Sequence, residues 1–582
     1  MNWTSIATHE PKMRHPPAFT GSLLLHCFVT GIFVAGEATE CRWAYAVPEL
    51  GTSRLLIYDG KPPAATHIDG APLLAPVAWA NFRDDIQISG WAYLEVESSP
   101  NATDEVQAYA AGALEAYLTR YLMEAQWENM FAHYCDSQKE FCLKLYDFLQ
   151  KNLDYSRLNE KRLRATDPYW NMVHLQMRQL HGLNDAFENA TLDTSQELTN
   201  VSRALLFSLV GDFIDLEAAL RRPEDLYSLS LVPACSALIK VVGNNEDLYV
   251  GHDAWFLYKS MLRIQKKYTF PWHYLSGNTE LEGIIPGHTI TMSSYAGKLV
   301  SLDDFYLTSA GLAVTETSID NSNPDLYLLL DPEVAPLTWV RTMVATRLAT
   351  SGREWVDLFA RDNSGTYNNQ WMIVDYKLFK PGTAIVNDTL WILEQMPGIT
   401  RQHDVSDILR KQSYWPSYNV AYFDDIFVIS GQTALVEKYG DYYSYEKTAR
   451  ANIFRRDHVN VTDLGSMTWL MRYNDYTNDP FSRCNCTPPY NPVYAISSRY
   501  DLLDPKGEYD VPRMYRRPVG GIDMKFTTYD KFKRLQFIAI SGPTGFQVPA
   551  FEWSTSGFND SHIGHPDRWQ FDPVENVWGS CM

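Results

Sequence analysis

Residues 231–255 read LVPACSALIKVVGNNEDLYVGHDAW, and this stretch decides the fold. The run from 235 to 242 is almost wholly apolar, which predicts a buried strand. Glycine and asparagine at 243–245 supply the residues of a tight turn, and a return strand begins at 247–251. The segment therefore predicts an antiparallel hairpin.

A thiol and an imidazole stand at the two ends of this hairpin. Cys235 opens the first strand directly after Pro233-Ala234, and His252-Asp253 closes the second. Antiparallel pairing folds the chain back on itself, so we expect His252 to return close to Cys235. Such a pair is a candidate nucleophilic site. The alternative is a buried structural cysteine, because free cysteine is among the most buried residue types.

The cysteine count favours a free thiol at Cys235. The chain has eight cysteines, and one of them, Cys27, lies in a stretch that reads as a leader. Seven remain, and an odd number in a secreted protein leaves one thiol free or paired between chains. The other six suggest three pairs, although the sequence does not fix their connectivity: Cys135 with Cys142, Cys484 with Cys486, and Cys41 with Cys581 near the opposite termini.

The N-terminal region has the pattern of a secretory signal. Basic side chains precede an apolar run at 18–36, and small residues follow it through Ala38. The alternative is a signal anchor, because the run approaches the length that spans a bilayer. His26 and three glycines in the run disfavour a stable span. We therefore predict a signal peptide at 1–38 and no stable transmembrane anchor.

Sequons support passage through the secretory lumen. The pattern Asn-x-Ser/Thr occurs seven times outside the leader, which favours a glycoprotein of the extracellular space or the lysosomal lumen. The predicted glycosylation sites are Asn101, Asn189, Asn200, Asn387, Asn460, Asn485 and Asn559.

Composition describes an acidic globular protein. The chain has 582 residues, of which 45% are hydrophobic and 21% are charged, with ample apolar material for one large core or two. Its net charge of −20 argues against nucleic acid as a partner, since phosphate contact needs a basic surface. The sequence contains no Walker loop, no GxSxG and no HExxH, and no cluster with metal-ligand spacing. We therefore expect no metal and no cofactor.

Helical and strand patterns alternate along the chain. An exposed, cleavable linker is predicted at 184–233, because this stretch is polar, carries two sequons and contains Arg221-Arg222-Pro223. Helices are predicted at 104–129, 137–152 and 335–351, and strands at 86–96, 311–319, 370–376 and 418–429.

Eight strings along the chain carry a resemblance to a known family. They are GALEAYLT at 112–119, CSALIK at 235–240 with GHD at 251–253, NSGTYNNQW at 363–371, EQMPG at 394–398, SYN at 417–419, MRYND at 471–475 and SGPT at 541–544. By these strings, in this order, the chain resembles the phospholipase B-like proteins. That family includes the lamina ancestor proteins and a lysosomal member of the N-terminal-nucleophile hydrolase superfamily.

The resemblance implies an α+β fold, a four-layer αββα sandwich that is made as an inactive precursor. The precursor would cut itself between Ala234 and Cys235, giving an N-terminal fragment of 39–234 and a C-terminal fragment of 235–582. Cys235 would then carry a free α-amine, whose pKa of about 7.7–8.0 suits a general base. Before the cut that nitrogen is an amide, so the precursor would be inactive. The TYNNQW part of the 363–371 string is interpreted as structural.

The resemblance also implies roles for five further residues. His252 would orient the Cys235 thiol or amine, with a structural histidine as the alternative. Asp253 could hold His252 or the amine, but relatives carry asparagine there, which argues against a charged role. The others match family positions: Asn419 as a donor to the oxyanion, Thr317 as a second polar contact, and Arg450 as a support for the carboxylate or oxyanion region, with a surface or ion-paired arginine as its alternative.

One departure from the family concerns the disulfide at Cys484 and Cys486. These cysteines have one spacer residue where relatives have two, and a sugar on Asn485 would compete with the bond. The family name implies release of fatty acids from glycerophospholipids. An N-acyl amidohydrolase on a lipid amide or peptide-like substrate is the second hypothesis, because amidases dominate the superfamily. A luminal glycoprotein that binds lipid without turnover is the third.

Overall fold

The predicted hairpin is present in the computed structural model, which describes residues 40–63, 75–225, 228–229, 235–275 and 281–581. Strand Ser236–Val242 pairs antiparallel with Asp247–Asp253, and Ala237 lies opposite His252. In the turn between them, Gly243 and Asn245 both have a positive φ, near 60°.

The described part of the chain contains helices and strands in a mixed order. The helices are α1 (Ile86–Ser89), α2 (Asp104–Met130), α3 (Lys139–Leu163), α4 (Pro168–Phe187), α5 (Arg203–Ser208), α6 (Val210–Ala219), α7 (Thr338–Leu348), α8 (Gly352–Ala360), α9 (Ser406–Gln412), α10 (Asp424–Ile429), α11 (Gln432–Tyr439), α12 (Ala449–Asp457), α13 (Leu464–Met471), α14 (Tyr529–Phe532) and α15 (Trp553–Ser556). The strands are β1 (Arg42–Pro48), β2 (Leu55–Asp59), β3 (Ala78–Asp85), β4 (Trp91–Ser98), β5 (Ser236–Val242), β6 (Asp247–Asp253), β7 (Trp255–Leu257), β8 (Arg263–Thr269), β9 (His273–Leu275), β10 (Leu281–Ile284), β11 (Thr289–Tyr295), β12 (Phe305–Thr308), β13 (Leu312–Ser318), β14 (Asn369–Asp375), β15 (Leu390–Met396), β16 (Ile399–Asp404), β17 (Tyr414–Ser417), β18 (Val519–Gly521), β19 (Asp523–Thr527), β20 (Ile538–Ser541), β21 (Phe551–Glu552), β22 (Arg568–Trp569) and β23 (Val574–Glu575).

Two large sheets form the centre of the fold. The larger has eleven strands in the order β16-β15-β14-β13-β12-β11-β8-β4-β3-β1-β2, and the smaller has six in the order β17-β5-β6-β19-β20-β23. The pairing of β4 with β8 is parallel, whereas the other neighbouring strands in these two sheets pair antiparallel. This parallel pair joins strands from before and after Cys235, so the larger sheet contains both halves of the chain.

Buried side chains define four layers. Between the sheets, Ile239 and Val250 of the six-stranded sheet belong to one apolar cluster with Met372 and Ile392 of the eleven-stranded sheet. The outer face of the larger sheet is covered by α2, which packs on β1, β3 and β4 and also against α4. On the outer face of the smaller sheet, α12 and α13 supply the covering side chains. The order helix–sheet–sheet–helix and the α+β class agree with the implied fold.

Most predicted helices and strands are confirmed, some with different ends. The helix predicted at 104–129 is α2, the one at 335–351 is α7, and the one at 137–152 extends as α3 to Leu163. The strands predicted at 311–319 and 370–376 are β13 and β14.

The strand predicted at 86–96 is wrong in its first half. Residues 86–89 form the short helix α1, and the strand begins at Trp91. Because Asp85 of β3 lies opposite Trp91 of β4, the intervening residues must turn the chain back. Gly90, with a φ of 76°, completes that turn.

The strand predicted at 418–429 is also wrong. Strand β17 ends at Ser417, and Asn419 has a left-handed φ of 69° that takes the backbone out of the sheet. The Glu394 carboxylate then accepts hydrogen bonds from the backbone N–H groups of Tyr422 and Phe423, just before α10 begins. A distant carboxylate at a helix start leaves no local signal in the sequence.

The predicted linker at 184–233 is exposed only in its first part. Residues 188–200 are exposed or half-buried, but α5 and α6 are largely buried. The polar composition of the stretch suggested exposure, yet the acidic side chains of α6 accept hydrogen bonds from internal donors: Asp212 accepts from the backbone N–H of Thr338 at 2.9 Å. Ala234, the residue before the predicted cut, lies outside the described residues, as does the predicted signal peptide.

Three disulfides join the cysteine pairs named above. They are Cys41–Cys581, Cys135–Cys142 and Cys484–Cys486, and Cys235 is the free cysteine of the described residues. All seven sequon asparagines are exposed, as sugar attachment requires. In the part of the chain that the structure describes, every helix is too short or too polar to cross a bilayer.

Candidate active site

Cys235 sits at the entrance of β5 in an unusual backbone conformation. Its φ is 84°, which few residues other than glycine adopt and which often marks a functional site. The side chain is only 3% exposed. Burial and the nearby Glu316 carboxyl raise the pKa of the thiol well above its ordinary value. The resting group is therefore a thiol, and a nucleophilic role requires a base.

His252 lies beside this thiol, as the hairpin predicted. Its Nε2 is 2.8 Å from the backbone carbonyl of Glu316, so we assign the ring proton to Nε2. Burial, with the charge of Lys525, lowers the pKa of the imidazole well below its usual range. His252 is therefore neutral and is a weak base in this surrounding.

Asp253 is a neutral acid rather than a charged partner. It lies opposite Ser236 in the hairpin and is fully buried. Burial, with the nearby Asp523, raises the pKa of its carboxyl far above the ordinary value. A protonated carboxyl resembles an amide in shape and charge, so a charged role for Asp253 is not needed here.

Asn419 and Thr317 lie together between the two sheets. The Asn419 amide donates to the backbone carbonyl of Ser318 at 2.7 Å. The hydroxyl of Thr317 is 2.6 Å from that of Ser417, which directly precedes the Tyr418-Asn419 pair. This contact orients the Asn419 side chain, whose amide is the candidate donor to an oxyanion.

Arg450 fixes the backbone of the site. It lies on α12, is buried, and donates to the carbonyl of Cys235 at 2.6 Å and to that of Tyr418 at 2.7 Å. Its guanidinium also stacks on Trp255, 4.3 Å from the ring centre. The alternative of a surface or ion-paired arginine is wrong, because Arg450 is buried and donates to two carbonyls and a hydroxyl in the interior.

Sequence reasoning missed a group of acidic side chains next to Cys235. Glu316, on β13, is fully buried, and its Oε1 accepts from the Tyr367 hydroxyl at 3.1 Å. The same hydroxyl donates to Asp304 at 2.5 Å, and the Asp304 and Glu316 carboxyls interact directly. Glu316 directly precedes Thr317, so a lone carboxylate in the strand predicted at 311–319 was the available signal. Tyr367 lies in TYNNQW, which had been interpreted as structural.

Burial dominates the electrostatics of these carboxyls. It raises the pKa of Asp304 to about 6, and burial with the Asp304 charge raises the pKa of Glu316 well above its usual value. Two interacting carboxyls in a dry site favour a state in which they share one proton. Such a pair can accept or donate a proton near neutral pH.

Ligand atoms of Cys235, His252 and Glu316 all lie within 4.8 Å of one another, the single such trio among the described residues. The set includes ligand types that bind metals. However, the buried Lys525, which lies opposite His252 on β19, acts electrostatically on all three groups. A fixed cation here disfavours a divalent ion, so we interpret the trio as a proton-transfer group.

Comparisons with known proteins cover nearly the whole chain. The Phospholipase B family model matches residues 78–576. "Putative phospholipase B-like 2" of Mus musculus is 40% identical over 571 residues, which cover 96% of this chain and 95% of that protein. The Homo sapiens protein of the same name is 41% identical over 560 residues, with 95% and 94% covered. "Putative phospholipase B-like 1" of Caenorhabditis elegans is 41% identical over 514 residues, with 86% and 87% covered.

Proposed function

The chain belongs to the phospholipase B family, and on that premise we propose that it is a hydrolase that attacks acyl carbonyls through Cys235. The observation that carries the proposal is the environment of this thiol. It is buried at the head of a strand, its backbone is strained into a left-handed conformation, and Arg450 holds its carbonyl. Burial alone would also suit a structural cysteine, but such a cysteine needs neither the left-handed backbone nor the arginine contact.

The proposed enzyme is a cysteine N-terminal-nucleophile hydrolase that matures by cutting itself between Ala234 and Cys235. The new α-amine of Cys235 then serves as the general base, because its ordinary pKa of about 7.7–8.0 lies far below that of a lysine. It belongs to the same residue as the thiol, so little entropy is lost in positioning the two. His252 keeps its neutral ring beside them.

The proposed reaction is the removal of fatty acyl chains from glycerophospholipids. The amine takes the thiol proton, and the thiolate attacks the ester carbonyl. The Asn419 amide donates to the oxyanion, which collapses to a thioester as the alcohol leaves with the proton. Water then hydrolyses the thioester and restores the thiol. The names of the relatives support the phospholipid substrate.

We propose that the protein works in the secretory or lysosomal lumen as a glycoprotein. Three disulfides, which persist in oxidising compartments, support this location. The exposure of all seven sequon asparagines supports glycosylation.

The test uses purified protein and two lipids with the same acyl chain, a phosphatidylcholine and an N-acyl amide. Mass analysis first establishes that a fragment begins at Cys235. Processed wild type should then release fatty acid from phosphatidylcholine, whereas Cys235→Ala should stay uncut at this bond and release none.

Three other outcomes would replace the proposal. Release of fatty acid by Cys235→Ala would assign the activity to another site or to a contaminant. Release from the N-acyl amide alone would make the enzyme an amidohydrolase. Lipid binding by processed protein without turnover of either substrate would make it a lipid-binding glycoprotein.

A further inference from the structure

Self-cleavage at Cys235 needs a base that the mature enzyme does not need. In the uncut chain the nitrogen of Cys235 is an amide, which cannot accept the thiol proton. We propose that Glu316 accepts the proton of the Cys235 thiol during self-cleavage, with Asp304 as the partner that shares its proton. This inference rests on the proposed maturation between Ala234 and Cys235.

The geometry favours Glu316 for this role. A carboxylate oxygen of Glu316 lies within 4.8 Å of the Cys235 sulfur, a separation that one bridging water or a side-chain rotation closes. Glu316 Oε1 accepts from the Tyr367 hydroxyl at 3.1 Å, which leaves Oε2 to exchange a proton. Oε2 is buried and accepts no hydrogen bond from the described residues. A buried carboxylate oxygen without a donor costs free energy unless it carries or shares a proton.

The other titratable groups around Glu316 are less suited to take the proton. His252 presents Nε2 to the Glu316 carbonyl, and the charge of Lys525 opposes formation of an imidazolium. Lys525 is itself held in an ion pair with Asp523 at 2.9 Å. Tyr367 and Tyr306 donate their hydroxyls to Asp304, and burial raises the pKa of both phenols. Asp303 is held by Arg263.

Asp304 gives Glu316 the basicity that an isolated carboxylate lacks. The two buried carboxyls interact, and the negative charge of Asp304 raises the pKa of Glu316. An ordinary carboxylate is a poor base for a thiol because its pKa is several units lower. Raising the pKa of Glu316 brings it closer to the pKa of the thiol and makes the proton transfer less unfavourable.

The step balances without an outside reagent except water. The proton that the two carboxyls already share moves to Asp304, Glu316 takes the thiol proton, and the thiolate attacks the carbonyl carbon of Ala234. The C–N bond to Cys235 breaks, and the proton held by Glu316 goes to the leaving nitrogen, which becomes the α-amine. The product is a thioester between Ala234 and the Cys235 sulfur. Water hydrolyses it to a carboxylate on Ala234 and the free thiol.

The experiment follows full-length precursor after pulse labelling, with incubation between pH 4 and pH 8. Mass spectrometry measures the fragment that begins at Cys235. We expect Glu316→Gln to slow its appearance by about 10²-fold or more, the range of a lost general base. Glu316→Asp, which keeps a carboxylate, should recover part of that rate. The matched control is Glu95→Gln, a buried glutamate of β4 outside the trio, which should convert at the wild-type rate.

The pH profile separates proton transfer from mere support of the fold. Asp304→Asn removes the negative neighbour of Glu316, so the pKa of Glu316 falls and the acid limb of the cleavage profile should move to lower pH. A structural defect would lower the rate at every pH without moving the limb. Thermal unfolding of each variant shows whether it has folded, and Asp304→Asn provides this signature even where Glu316→Gln fails to fold.

Each remaining outcome overturns a distinct claim. If wild type cuts and Cys235→Ala does not, but folded Glu316→Gln cuts at the wild-type rate, only the role of Glu316 is lost. An unchanged acid limb in Asp304→Asn would show that Asp304 and Glu316 do not share a proton. If wild-type chain is never cut at Cys235, the proposed maturation fails, and this inference fails with it.

Discussion

Arg450 holds two backbone carbonyls on either side of the candidate site. Its two terminal nitrogens reach Cys235 and Tyr418 at 2.6 and 2.7 Å. A lysine at this place can satisfy one carbonyl and leaves the other buried without a donor. We expect Arg450→Lys to lower the free energy of unfolding by about 1–3 kcal/mol. Misplacement of Cys235 should also slow self-cleavage by about tenfold or more. Denaturant unfolding and fragment analysis measure the two effects.

Arg455→Lys is the matched control for this prediction. Arg455 lies on the same helix, α12, but is exposed and donates to Glu446 at 2.8 Å. Exposed ion pairs contribute little to stability, so this variant should behave as wild type. Wild-type cleavage in Arg450→Lys would show that the double contact does not position Cys235.

Asn419 combines an unusual backbone with a functional amide, and two substitutions separate these roles. Both Asn419→Ala and Asn419→Gly remove the amide, so each should lower turnover by about 10²–10³-fold if that group donates to the oxyanion. They differ in stability, because the φ of 69° suits glycine and strains alanine. Alanine should cost about 1 kcal/mol more than glycine in the free energy of unfolding.

Turnover of processed protein and denaturant unfolding are the two measurements. Full turnover in processed Asn419→Gly would remove the amide from the mechanism. Equal stability of the two variants would show that the backbone at 419 relaxes. The hydrogen bond to Ser318 is lost in both, so it cancels in the comparison.

At the scale of single elements, local signals identified the hairpin and the long helices. The apolar run of β5 and the turn at 243–245 determine pairing by themselves, so Cys235 and His252 could be placed together without a structure. Glu316 could not, because it reaches the thiol from the other sheet, and no local pattern records contacts between sheets. The end of β17 depended in the same way on Glu394, a distant carboxylate.

Helix α6 shows why its acidic residues misled sequence interpretation. Asp215 is buried and accepts hydrogen bonds from the Asn368 backbone and the Tyr327 hydroxyl, both at 3.3 Å. Burial raises the pKa of its carboxyl from 3.8 to about 7. The folded chain therefore holds this proton between about pH 4 and pH 7, where the unfolded chain has released it.

This difference predicts stability that falls as pH rises. Where the folded state binds more protons, the free energy of unfolding decreases with pH, and Asp215 contributes a loss of up to about 2 kcal/mol between pH 5 and pH 7. Asp215→Asn should remove that loss. Denaturant unfolding at both pH values, in the uncut Cys235→Ala background, measures it. Asp212→Asn is the matched variant on α6, and its effect should end about one pH unit lower, because burial raises the pKa of Asp212 only to about 6.

An equal pH dependence in Asp215→Asn and its parent would contradict the prediction. It would mean that the Asp215 carboxyl is ionised in the folded chain and that its hydrogen bonds compensate for burial. A contribution to stability that grows on mild acidification suits the lysosomal location proposed above.

At the scale of the whole molecule, the proposed cut falls inside a single structural unit. Strand β4, before Cys235, pairs in parallel with β8, after it, and α2 packs on the sheet that both belong to. The two fragments therefore share a core and should remain together after cleavage. Residues 39–582 form one compact unit, which agrees with this expectation.

A disulfide should also join the fragments covalently. Cys41 lies in the proposed N-terminal fragment and Cys581 in the C-terminal one, and the structure bonds them. The disulfides Cys135–Cys142 and Cys484–Cys486 each stay within one fragment. Only the first bond therefore determines whether denatured, processed protein remains one species.

Gel electrophoresis in denaturant tests this directly. Processed wild type should migrate as one species without reductant and as two fragments with it, because reduction opens the bridge across the cut. Cys581→Ser should give two fragments under both conditions, yet still elute as one particle from a native column, since the shared sheet holds the halves together. Cys142→Ser, which breaks a bond inside one fragment, is the control and should behave as wild type. Two fragments from wild type without reductant would contradict the Cys41–Cys581 bond, and separation of Cys581→Ser on the native column would show that the sheet alone cannot hold the halves.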